Sequence, residues 1–132
     1  MKITADTNVL VRALVGDDAR QSRAAQAELA KAELVALALP ALCELVWVLS
    51  QGYKIPSAGI AEAIRRLINS ANVAVNRAAA EAGLDALEAG GDFADGVIAH
   101  EGKWLGAETF VSFDRKAVKL IRDSGNAARV LS

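Results

Sequence analysis

The chain has little of what most small domains use for stapling, redox work or nucleophilic catalysis: its 132 residues include one Cys, one His, two Pro and only 5% aromatics. The single Cys43 cannot form an intrachain disulfide, and its apolar setting reads as a small buried hydrophobe in a reducing compartment. A catalytic thiol would need a histidine. His100 follows Asp95 by five residues, about 140° around a helix, so the two do not share a face. Net charge is also lacking: 15 basic and 16 acidic residues leave −1, so any nucleic-acid contact must rely on a local basic patch. The longest apolar stretch, Leu34 to Leu49, is shorter than the roughly 20 residues of a membrane span and contains Pro40 and Glu44. The start carries Asp6 and Arg12 and no small-residue cleavage pattern follows, which disfavours a secretory signal and makes the cytoplasm the expected location. There is no Gly-x-Ser-x-Gly, and Gly91 to Gly96 fits neither a P-loop nor a dinucleotide fingerprint.

What is present is an alternation of short apolar strands and helices. Residues 2–5 predict a strand, after which Thr7 can cap a helix carrying Val9, Leu10, Ala13 and Leu14. A second helix is expected from Ala19 to Ala32, a second strand from Leu34 to Leu39, and a third helix from Pro40 to Ser50, ended by Gly52. That third helix reads as apolar almost all round. Pro56 and Ser57 begin a fourth helix, Val73 to Val75 form a minimal strand, and a fifth helix runs from Asn76 to Ala89 before Gly90 and Gly91. Asp92 is placed to cap a sixth helix from Phe93 to about Leu105. Thr109 to Ser112 is the fourth strand, Arg115 to Ser124 the last helix, and Arg129 to Leu131 an edge strand. No repeat, low-complexity tract or linker interrupts this order, so residues 1–132 read as one α/β domain with a parallel sheet covered by helices.

Four acids sit in apolar surroundings: Asp6 after the first strand, Glu44 within the apolar third helix, Asp95 in the first turn of the sixth, and Asp114 after the fourth strand. In a doubly wound sheet, ligands gather beyond the carboxyl ends of strands, and Glu44 and Asp95, read as first-turn residues, come to the same edge. Close carboxylates repel by about 4 kcal/mol per pair at an effective dielectric near 20, so their convergence calls for cations. Oxygen-only ligands select Mg²⁺ or Mn²⁺, and such sites act on phosphate esters. Asp6 and Asp114 can equally be helix caps. Arg115, Lys119 and Arg122 form an i, i+4, i+7 stripe that could guide a phosphate backbone, although such stripes are more often plain solvated faces. Trp47 and Trp104 are expected in core or dimer packing rather than base stacking.

With those residues in view the chain resembles the PIN-domain ribonucleases, and among them the VapC toxins of bacterial toxin–antitoxin modules. The resemblance rests on Asp6-Thr7-Asn8-Val9-Leu10, Ala41-Leu42-Cys43-Glu44-Leu45, Asp92-Phe93-Ala94-Asp95-Gly96-Val97-Ile98-Ala99 and Phe113-Asp114-Arg115-Lys116-Ala117, in that order. It implies an α/β/α sandwich with a parallel sheet of four to five strands, and Mg²⁺ or Mn²⁺ held by Asp6, Glu44, Asp95 and Asp114 as the catalytic set. It further implies endonucleolytic cleavage of structured RNA by metal-activated water, a homodimer, and inhibition by a cognate VapB-type antitoxin; the short apolar stretch separately leads to the expectation of no membrane association. Ser112 stands where that family often has Thr, and Gly96 where Ala is commoner; both departures read as mild. The competing readings are a silent PIN-like module that only binds RNA or a protein, and a phosphoacceptor receiver domain. The receiver needs an acidic pair after its first strand, where only Asp6 is found. Asp92, one turn before Asp95, reads as a cap first.

Overall fold

In the computed structural model, which describes residues 1–132, strand and helix alternate as the apolar runs foretell. Two compact units are distinguished, Met1–Asn76 and Arg77–Ser132. In the first, β1 (Lys2–Thr4), β2 (Leu34–Leu37) and β3 (Val73–Val75) form a parallel sheet in the order β1-β2-β3. Lys2 pairs with Leu34 and Val35 with Val73. The parallel pairing requires crossovers, supplied by α1 (Thr7–Leu14) and α2 (Ala19–Lys31) before β2, and by α3 (Leu39–Trp47) and α4 (Ser57–Ile68) before β3. Leu10, Val35, Leu42, Leu45, Leu49, Ile60, Ile64 and Ile68 are fully buried, each such side chain contributing about 1.5–3 kcal/mol relative to exposure. Asn72 donates its side-chain amide to the carbonyls of Leu29 and Ala32, which ties the end of α2 to the approach to β3.

Two expectations about this unit are corrected. The cap of α1 is Asp6, not Thr7: its backbone is extended and its carboxylate takes the Val9 N–H. The third helix is not buried all round, because Pro40, Glu44 and Trp47, spaced i, i+4, i+7, form an exposed stripe, with Trp47 65% exposed. The helix then loosens into a π-helical turn over Val48–Gly52, and Lys54 adopts a left-handed backbone (φ 56°) before the chain enters α4. Arg12 and the Tyr53 hydroxyl both donate to Asp17, at 3.0 and 2.9 Å, clasping the α1–α2 turn to that segment.

The second unit holds α5 (Arg77–Glu88), α6 (Phe93–Trp104), β4 (Phe110–Ser112), α7 (Arg115–Asp123) and β5 (Ala128–Val130). β4 and β5 pair in parallel around α7, with Val111 opposite Arg129. The five expected strands are therefore all present and all parallel, hydrogen-bonded as sheets of three and two. Val118, Ile121 and Ala128 form an apolar cluster with Ala99, Phe110 and Val130. α5 turns into α6 through Gly90, whose φ of 94° favours glycine. The two helices approach closely because small residues line the contact: a Cβ on Gly83 would meet the fully buried Phe93 ring at 2.7 Å, and one on Gly96 would meet the Ala82 carbonyl oxygen at 2.4 Å. Gly96 is thus required by packing, and exchanging it for the commoner Ala is not mild here. Trp104, 84% exposed, is outside the core, as Trp47 is. No helix is long and apolar enough to cross a membrane.

Candidate active site

Asp6 and Glu44 belong to the first unit. Asp6 follows β1 after a single residue, Ala5, and its Oδ1 is fixed by the Val9 N–H at 3.0 Å, leaving Oδ2 free for another partner. Glu44 lies in the second turn of α3, not in the first as expected from the sequence, and is solvent-exposed. No cation pairs with either carboxylate.

In the second unit the charges of Asp92 and Asp114 both act on Asp95. Asp92 caps α6 by accepting the Ala94 N–H at 3.0 Å, as the two preceding glycines foretold. Asp114 caps α7, its Oδ1 accepting the N–H groups of Lys116 at 2.9 Å and Ala117 at 3.2 Å, and the Ser112 hydroxyl accepts the Asp114 N–H at 3.0 Å. That hydroxyl support was missed in the sequence, where a serine two residues before an aspartate is the only signal for it. Asp95, in the first turn of α6, is half-buried and makes no side-chain hydrogen bond or ion pair. Its proton affinity is raised, first by burial and then by the negative charges of Asp92 and Asp114. The cap reading and the site reading of Asp114 are thus compatible: one oxygen serves the helix while the charge acts on Asp95.

The donor chemistry suits a hard divalent ion, since every candidate group is a carboxylate oxygen. In neither unit do three or more His, Cys, Asp or Glu side chains stand close enough to cage a metal. Mg²⁺ commonly takes only one or two carboxylates and keeps several waters, so its binding does not call for a closed cage of three or more. The basic stripe on α7 is largely spent on structure, with Lys119 bound to Asp123 at 2.7 Å and the Arg122 Nε to the Ala128 carbonyl at 2.7 Å. Arg115 and Lys116 are exposed and without ion pairs. His100 and Cys43 are half-buried.

A protein-family model described as PIN domain matches residues 3–122 and so runs through both units. Proteins carrying this domain are generally nucleases that use divalent metals. No curated protein matches the chain.

Proposed function

The chain belongs to the PIN domain family, and from that premise we propose that it is a metal-dependent endoribonuclease, the toxin half of a type II toxin–antitoxin pair. The observation that carries the nuclease reading is Asp95, a half-buried carboxyl pressed by Asp92 and Asp114 with no cation to relieve it. Such a perturbed acid beside like charges is where a site that binds positive charge is expected. Asp6, Glu44, Asp95 and Asp114 would hold Mg²⁺ or Mn²⁺, the whole of residues 1–132 acting as one PIN domain. Once bound, the ion supplies positive charge that acidifies a water and offsets the charge of an RNA phosphodiester. The protein's own part is orientation: capping by Asp6 Oδ1 and Asp114 Oδ1 pins each carboxylate, and the α6 N-terminus favours an ionised Asp95 once the cation offsets its neighbours. The toxin role, the VapB-type antitoxin and the homodimer are supported by the order of the four sequence motifs, and a cytoplasmic site of action goes with that role.

Purified protein freed of any bound partner should cut structured RNA with Mg²⁺ or Mn²⁺ and stop in EDTA. Asp6→Asn and Asp114→Asn should abolish cutting while leaving the fold intact, because Asn can still cap. Cutting that continues unchanged in chelator would overturn the metal-dependent reading, and RNA binding without any cutting would favour the silent module. Expression should arrest bacterial growth and Glu44→Gln should relieve the arrest; a harmless wild-type chain in a host lacking the antitoxin would end the toxin assignment alone.

A further inference from the structure

Phe113 is 75% exposed although it directly follows β4 and directly precedes Asp114. Its placement is held: the Ser112 hydroxyl accepts the Asp114 N–H, and the Asp114 carboxylate accepts the N–H groups of Lys116 and Ala117. Three hydrogen bonds thus fix the turn on either side of an aromatic ring left in water. The next two residues, Arg115 and Lys116, open α7, where the helix dipole disfavours positive charge. Both are exposed and neither side chain makes an ion pair or hydrogen bond, whereas Lys119 and Arg122 further along the helix are both engaged. Helix stability therefore explains neither cation, and core packing does not explain the ring.

We propose that Phe113 is a stacking platform for one nucleobase beside the scissile phosphate, and that Arg115 and Lys116 hold the neighbouring phosphates, so that Phe113, Arg115 and Lys116 position the RNA substrate. The inference rests on the nuclease reading above and adds to it. A flat exposed ring accepts any base because every base has a π-face, and flanking cations neutralise the backbone on either side of it. Two adjacent unpaired cations favour a polyanion, whose charge they neutralise, and Lys116 in particular is of a type depleted from protein–protein contact cores. Only a base unstacked from its neighbours can take the ring, so an unpaired strand fits and a closed duplex does not.

The test uses the full chain and a fluorescein-labelled single-stranded RNA of mixed sequence, in an Asp95→Asn background that holds cleavage back, with affinity read by anisotropy over a range of salt. Phe113→Ala should weaken binding roughly 5- to 150-fold, the range one base–aromatic stack gives, and Phe113→Tyr should restore it. Arg115→Ala with Lys116→Ala should reduce the slope of log affinity against log salt by about 1.4, roughly 0.7 for each phosphate contact on a single strand. Unchanged affinity in Phe113→Ala, a loss that Phe113→Tyr does not repair, or an unchanged salt slope would overturn the proposal while wild-type cleavage leaves the nuclease reading standing. A wild-type chain that neither binds nor cuts RNA overturns both.

Discussion

Gly96 of α6 and Ala82 of α5 stand so close that a Cβ on Gly96 would lie 2.4 Å from the Ala82 carbonyl oxygen. The obstacle is backbone, so the helices would have to separate. Gly96→Ala gains about 1 kcal/mol of helix propensity but overpacks a tight contact at about 1–3 kcal/mol, and a backbone clash belongs in the upper half of that range. A net loss of about 1–2 kcal/mol is expected in urea denaturation. Cleavage should fall as well, because Asp95 is the preceding residue on the same turn. A variant as stable and active as wild type would show that the interhelical approach is not required.

Asp92 and Asp95 should separate by mutation. Asp92 accepts the Ala94 N–H while Asp95 accepts nothing, so Asp92→Asn should keep the cap, the stability and most activity. Asp92→Ala should lose about 1 kcal/mol. Asp95→Asn should eliminate Mg²⁺-dependent cleavage. If Asp92→Asn proved as inactive as Asp95→Asn, Asp92 would have to join the ligand set.

The Arg12–Asp17–Tyr53 clasp has a pH window. The Tyr53 hydrogen bond above all, with the Arg12 charge, holds the Asp17 carboxyl below its usual range against a smaller effect of burial, and the same bond raises Tyr53. A lowered carboxylate stabilises fully above its unfolded pKa and loses that contribution as pH falls through the folded one. A raised phenol stabilises fully below its unfolded pKa and loses its contribution as pH rises through the folded one. Tyr53→Phe should therefore melt below wild type between about pH 4 and pH 10, with the gap closing at both extremes. A gap that persists in strong acid would point to ring packing in place of the hydrogen bond.

Local features and the parallel pairing of the strands were legible, whereas particular side-chain contacts between distant segments were not. Asp92 after Gly90-Gly91 announces a helix start, and Pro56-Ser57 announces another, because both depend on near neighbours. The exposed stripe of Pro40, Glu44 and Trp47 was hidden because most of the residues around it are apolar, leaving periodicity nothing to contrast. Asp6 and Thr7 are adjacent caps of similar merit, so only the observed hydrogen bond decides between them. The demand for glycine at position 96 depends on how near α5 comes, and the Arg122 bond to Ala128 depends on the return of β5. Of the candidate site, the place of Asp6, Asp95 and Asp114 at helix starts could be read directly; the burial of Asp95 and the effect on it of Asp92 and Asp114 required the fold.

That effect on Asp95 predicts an unusual response to pH and metal. Burial, then Asp92 and Asp114, raise the folded-state pKa of Asp95, so the folded chain binds a proton more readily than the unfolded one. Stability must then fall as pH rises from the ordinary aspartate range through the raised value, and the cost is fully present above it. At neutral pH in EDTA, Asp95→Asn should melt above wild type, and the difference should fade as acid protonates the wild-type carboxyl. A divalent ion that binds only the folded chain reverses the order by stabilising it, about 2.7 kcal/mol at a concentration 100 times its Kd. Wild type should gain melting temperature on titration with Mg²⁺ or Mn²⁺, and Asp95→Asn should gain much less. Thermal melts across pH, with and without the ion, check both halves. An Asp95→Asn variant that melts below wild type in EDTA, or one that retains the full gain from Mg²⁺, would remove Asp95 from the metal site.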